Sequence, residues 1–246
     1  TDGKISIMLR SRPWIMEGSL KDIKVEKLEK REFKESLRPQ RVEIKVPAAI
    51  AKAVSTDSSA TAPVYQFGDE KYYRLTSTSK RNGKEDIDAS FSMKWNKKSL
   101  ILTVNVKDDV FTQSMDAEGA WAEDSLQIAF HAFGEDPADL SHTDFCVSLG
   151  NEGARVYREI AADKRSPAVS DAVKAKISRN GNNLTYELEI PVSEISMPEL
   201  EEGMIFAMSI LVNDNDKKER KGYLRWGDGI GHSKDPSQYN WIMLEK

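Results

Sequence analysis

The sequence predicts an all-β protein: an antiparallel β-sandwich, jelly-roll-like, with a short N-terminal extension. Three observations carry this expectation. Residues 87–107 hold two segments of strict apolar–polar alternation, joined by Trp95-Asn96-Lys97-Lys98, which is the pattern of a hairpin with one buried face. Residues 173–190 repeat the pattern across Asn180-Gly181-Asn182-Asn183, a run of turn-forming residues. Helical periodicity is scarce, with only Val192 to Ile195, after Pro191, reading as a single turn. Many short alternating strands with turn signals between them describe a sandwich.

In chain order, residues 1–41 form the extension. Ile5 to Leu9 is a short apolar run, residues 18–26 alternate like a strand, and residues 27–41 are dense in charges of both signs, as in a solvated linker or exposed helix. The strand at 18–26 looks like the last strand of an upstream domain. The sandwich domain spans 42–246, opening with alternating Val42, Ile44 and Val46 before Pro47. Residues 48–63, rich in Ala, Ser and Thr, read as a loop or weak helix. Residues 71–75 read as a strand, and Asn82-Gly83 as a turn. After the 87–107 hairpin, the inward sets are Leu126, Ile128 and Phe130, then Phe145, Val147 and Leu149, then Ala154 and Val156. Residues 204–212 are apolar on both parities, so they belong between two covered faces. Residues 222–226 and 239–244 close the chain.

The 246 residues carry 36 basic and 40 acidic side chains, a net charge of −4. That balance argues against a nucleic-acid binder, which shows a basic excess. No apolar run approaches the ~18 residues a membrane-spanning helix needs. A single cysteine, Cys146, excludes an internal disulfide without fixing the compartment, and three histidines at wide spacing make no standard zinc site. There is no G-x-S-x-G, P-loop or G-x-G-x-x-G.

Parity decides what a sheet displays. Gln127, Ala129 and His131 face away from the inward set, and Arg155 and Tyr157 lie opposite Val156. Of the five tryptophans, Trp121 and Trp226 sit at junctions between strands and loops rich in Gly and acidic residues. Two indoles with Gln and Arg nearby suit a sugar, because a pyranose C–H face stacks on an indole while its hydroxyls need donors and acceptors. For Trp226 the alternative is core, since alternation puts it on the side of Leu224. Asn213-Asp214-Asn215-Asp216 offers oxygen ligands at i and i+2, with Asp214 and Asp216 as calcium ligands. The EF-hand pattern fails there, with Glu219 at the sixth position and Arg225 at the twelfth, and a polar β-turn is the alternative. A glycosidase carboxylate pair from Glu123, Asp124 or Asp228 has no fixed spacing to support it.

Four segments in this order resemble family 9 carbohydrate-binding modules, the kind found beside xylanases and other polysaccharide-degrading enzymes. They are residues 88–109, Trp121-Ala122-Glu123-Asp124-Ser125-Leu126-Gln127-Ile128, Tyr186-Glu187-Leu188-Glu189-Ile190-Pro191, and Asn213-Asp214-Asn215-Asp216 followed by Leu224-Arg225-Trp226. The resemblance covers roughly residues 65–246. It implies a non-catalytic β-sandwich that binds an oligo- or polysaccharide between two tryptophans and carries structural calcium, within a larger secreted, periplasmic or surface protein. On that basis Trp121 and Trp226 look like the clamp rings. Gln127 stands where the family can carry a sugar-binding glutamate, and Arg155 falls among its polar ligand-binding positions, with Tyr157 beside it. Two other readings remain at this stage. One is a haem-binding domain of related fold using His131 with Met208 or Met115; the other is a structural or interaction module whose sugar site is lost.

Overall fold

Two hairpins organise the chain. The computed structural model describes residues 50–77, 80–115, 117–133, 139–217, 220–231 and 233–246. The apolar run at 5–9, the expected strands at 18–26 and 42–46 and the charged stretch between them lie outside the described residues. The first hairpin joins β4 (Ile87–Asn96) to β5 (Ser99–Asp108), and the second joins β10 (Lys174–Asn180) to β11 (Asn183–Pro191). β11 then pairs antiparallel with β5 along its whole length. On one side of this four-strand unit Ala89, Phe91, Met93, Leu102, Val104, Tyr186 and Leu188 are all buried, as their alternation requires.

The opposite layer is built on β12 (Ile205–Asn215), flanked by β6 (Leu126–His131), β13 (Arg220–Trp226) and β14 (Asn240–Glu245). Beyond β6 follow β7 (Thr143–Gly150), β8 (Gly153–Ile160) and the short β9 (Ala168–Val169). Short β2 (Tyr65–Gln66) pairs with β4, and β3 (Tyr73–Leu75) with β13. The two layers are joined by β1 (Ile50–Ser55), so the sandwich is one curled sheet with Leu126, Ile128, Phe130, Ile210 and Val212 facing the first layer across the core.

β1 departs from expectation twice. It is a strand where loop or weak helix was expected, and it runs parallel to both neighbours, β14 and β4. Alanine has little strand preference of its own. Here Ala51 and Ala53 are fully buried while Ile50 and Lys52 are exposed, so small side chains let the two layers meet closely. A second departure is at Asn213-Asp214-Asn215, which continues β12 rather than turning.

Trp226 ends β13 paired with Ile210, on the core side with Leu224. It is 3% exposed and packs edge-on against Phe91, with ring centroids 4.8 Å apart. This corrects the reading of Trp226 as a free clamp ring: the period of the strand, which aligned it with Leu224, prevails over its position beside a glycine loop. Trp226→Ala is expected to lower stability by about 3–5 kcal/mol in urea unfolding. Trp226→Phe should keep most of that stability, since a phenyl ring preserves an edge contact with Phe91; a loss as large as that of Trp226→Ala would refute the packing account.

Candidate functional site

The face of β6 and β12 turned away from the core carries the candidate site. Gln127 pairs with Leu211 on one side and with Cys146 on the other, and Cys146 pairs with Tyr157. Parity therefore placed Gln127, Ala129, His131 and Tyr157 correctly, but this face is not ordinary solvated sheet. Ile230 and Tyr239 lie over it and form a second apolar cluster with Ala129, Ala207, Leu211 and Tyr223. The covering turn depends on Gly229, at φ +84, where a Cβ would stand 2.2 Å from the Asp235 carbonyl oxygen. Lys234 pins the cover by pairing with the fully buried Asp144 and, at 3.3 Å, with Glu159.

Trp121 stands at one margin of this face, on a single 3-10 turn, Ala120–Ala122, and the residue is 45% exposed. The turn is held from two directions. The Gln113 amide donates to the carbonyls of Ala120 and Asp124, at 3.2 and 2.9 Å. The Glu123 carboxylate accepts from the backbone N–H of Ser114 and Met115, at 2.5 and 3.1 Å. Asp124 accepts from the N–H of Thr112 with one oxygen and from the N–H of Asn215, at 2.7 Å, with the other. Asn215 in turn donates to the Ala122 carbonyl at 2.9 Å. An exposed indole on so many fixed bonds is pre-positioned for a flat ligand face.

Beside Trp121 lies Arg220, its guanidinium carbon 5.8 Å from the Trp121 ring centroid and 4.6 Å from that of Tyr223. Arg220 thus stands near two rings, Trp121 and Tyr223, and the buried Trp226 is not one of them. Gln127 is buried and donates to Glu159 at 3.1 Å, while Asn213 donates to Ser125 at 2.9 Å. The glutamine has a physical reason. A glutamate at 127 would face Glu159 across the strands as a like charge, whereas the amide holds Glu159 in place. The expected surface contact by Gln127 is corrected to a supporting one. Tyr157 is half-buried on the same face. Arg155 pairs with Glu152 at 2.5 Å and lines a shallow cleft with Val169, Ser170 and Lys174. Glu159 could have been found from parity, two residues beyond Tyr157; Arg220, Tyr223 and Lys234 had no sequence signal.

At the end of the core, strands and loops bring together Asp86, Asp108, Asp109, Asp124, Asp214 and Asp216. Oxygens of Asp86, Asp109 and Asp216 lie within 4.8 Å of one another. Of the two expected metal ligands, Asp216 belongs to this group. Asp214 stands beside it, accepting the Tyr73 hydroxyl at 2.9 Å. Lys221 reaches Asp86 at 2.5 Å and Asp216 at 2.8 Å. Burial, aided by neighbouring carboxylates, pushes Asp214 up to about 6, Asp108 to about 7 and Asp124 to about 9. The haem alternative loses one ligand pair: His131 pairs with Ala207 on the covered face, while Met208 pairs with Phe130 and points into the core.

These features define a class: a sheet-borne binding module whose exposed aromatic ring borders a polar face. Residues 60–246 match the carbohydrate family 9 binding domain-like family, and the chain belongs to that family of carbohydrate-binding modules. No curated protein matches the chain. A family 9 module from Caldicellulosiruptor kristjanssonii solved with cellotriose is 13% identical, with a TM-score of 0.52, over 80% of this chain and 94% of that one. A structure of a family 9 module from the same organism with glucose is 15% identical, with a TM-score of 0.50, over 80% and 96%. A protein of Bacteroides uniformis ATCC 8492, proposed to bind carbohydrate, is 12% identical, with a TM-score of 0.55, over 80% and 99%. At these identities the likeness is one of fold.

The carboxylate cluster has a pH signature. Asp214, Asp108 and Asp124 hold their protons more tightly folded than unfolded. Their contribution to stability is therefore complete below about pH 4, the ordinary carboxylate range, and is lost as pH rises through the folded values. In chelator, wild-type stability should fall between pH 5 and 9. Asp108→Asn keeps an oxygen for the Val110 N–H but cannot ionise, so its stability should fall less steeply than wild type between about pH 4 and pH 7, with the two curves parallel above that. Curves that stay parallel between pH 4 and 7 would refute this account.

Proposed function

We propose that the module binds a glucose-type pyranose or oligosaccharide at the face bordered by Trp121, and holds a larger secreted, periplasmic or surface protein at its glycan. The observation that carries this reading is Trp121, 45% exposed and braced on a loop beside buried polar side chains. A large aromatic left open on such a fixed support is unusual for a core residue and suits stacking on a sugar ring. The relatives solved with cellotriose and glucose support the ligand class. Glu159 and Tyr157, half-buried beyond the ring, supply hydroxyl partners, with Gln127 and Lys234 orienting Glu159.

Calcium fits the acidic end by chemistry. The donors are all carboxylate oxygens, and their excess over the Lys221 ammonium favours a hard cation. Asp86, Asp109 and Asp216 would hold it, and it would supply positive charge next to the loop that carries Trp121. Lys221 now supplies part of that charge.

Trp121→Ala should weaken binding of cello-oligosaccharides by about 2 kcal/mol, roughly 30-fold, in titration calorimetry, while thermal unfolding stays close to wild type. Undiminished binding would remove the ring from the site. Calcium added to chelator-treated protein at a hundredfold excess over Kd should stabilise it by about 2.7 kcal/mol, or roughly 5–10 °C. No shift at millimolar calcium would exclude the metal.

A further inference from the structure

We propose that the face beside Trp121 takes a saccharide bearing an anionic group, a uronate carboxylate or a sulfate ester, with Arg220, which lies near both Trp121 and Tyr223, as the residue that reads it. The inference rests on the reading of Trp121 as the stacking ring and extends it to the ligand's charge. Among the described residues, the other cations of this face have acidic partners. Lys234 pairs with Asp144 and Glu159, Arg225 with Asp228 at 2.8 Å, and Arg155 with Glu152. No carboxylate among the described residues lies within ion-pair distance of Arg220.

Its Nε and Nη2 are shielded from solvent and have no hydrogen-bond acceptor. These two nitrogens form one edge of the guanidinium, with N–H groups spaced to meet two oxygens of a carboxylate or sulfate. Leaving a charged donor edge below the surface without an acceptor is costly. A neutral sugar hydroxyl answers that edge only in part, whereas an anion answers both charge and geometry. Trp121 and Tyr223 hold the guanidinium beside the face, and an arriving anion would draw this shielded edge outward by a turn of the Arg220 side chain. Glu159 is near enough to be felt by Arg220, but its carboxylate is already engaged by Lys234 and Gln127.

The test is calorimetric titration of the full chain with three oligosaccharides of equal length: a neutral cello-oligosaccharide, an oligogalacturonate and a sulfated oligosaccharide. One anionic arm should bind roughly 10–100-fold more tightly than the neutral one, and which arm does so separates carboxylate from sulfate. That preference should shrink as salt is raised. Arg220→Gln should bring the anionic-to-neutral ratio close to one, and Arg220→Lys should restore only part of it, since an ammonium lacks the fork. A wild-type protein that binds the neutral sugar as tightly as both anionic ones, or a preference indifferent to salt, overturns the inference without reference to any variant. So does a folded Arg220→Gln variant that keeps the preference. The stacking reading fails separately, if Trp121→Ala binds all three as wild type does or if wild type binds none.

Discussion

Asp124 is the group on which the rest of the site depends. It is 2% exposed, and its two oxygens accept from the backbone of two separate segments, at Thr112 and at Asn215. One bond fixes the loop that carries Trp121; the other fixes that loop to the end of β12. A carboxylate buried in company with Asp108 and Asp214 is expensive to ionise, so the joint is electrostatically loaded. The start of β13, paired with that end of β12, supplies Lys221 to the cluster and Arg220 to the neighbourhood of Trp121.

β12 makes this economy possible. Nearly every residue of the strand is buried, since one face packs in the main core and the other lies beneath Ile230 and Tyr239. A doubly covered strand has little freedom, so the side chains at its margin are held in register with those beneath them. The polar groups of the covered face are correspondingly tied to one another: Gln127 to Glu159, Glu159 to Lys234, Asn213 to Ser125. The exposed part of the face is small, and its character is set by the few groups that reach the edge.

The sandwich was legible in the sequence because period-two alternation is a direct image of burial on a sheet. It correctly placed β4, β5, β6, β10 and β11, and it put Gln127 and Tyr157 on one face. It also contained the right answer for Trp226, whose alignment with Leu224 outweighed its neighbouring glycines. What escaped were features created by distant segments meeting. Nothing local marks Ala51 and Ala53 as strand residues, because their fit depends on β14 and β4 beside them. Nothing local says that Ile230, Lys234 and Tyr239 come to lie over the face of β6, where an outward glutamine is buried. The acidic end was half legible: Asp216 was marked by its neighbours, whereas Asp86 and Asp109 join it only through the pairing of β4 with β5 and the return of β13.

The parallel pairing of β1 with β14 has a mechanical consequence. Five residues of β1 are in register with five of β14, from Ile50 with Trp241 to Val54 with Glu245. The start of β1 and the finish of β14 therefore lie at opposite tips of one ladder. Tension applied along the polypeptide through those tips slides the strands past each other, straining every rung at once instead of peeling them singly. A module tethered at both tips would meet drag or pulling in its most rupture-resistant direction.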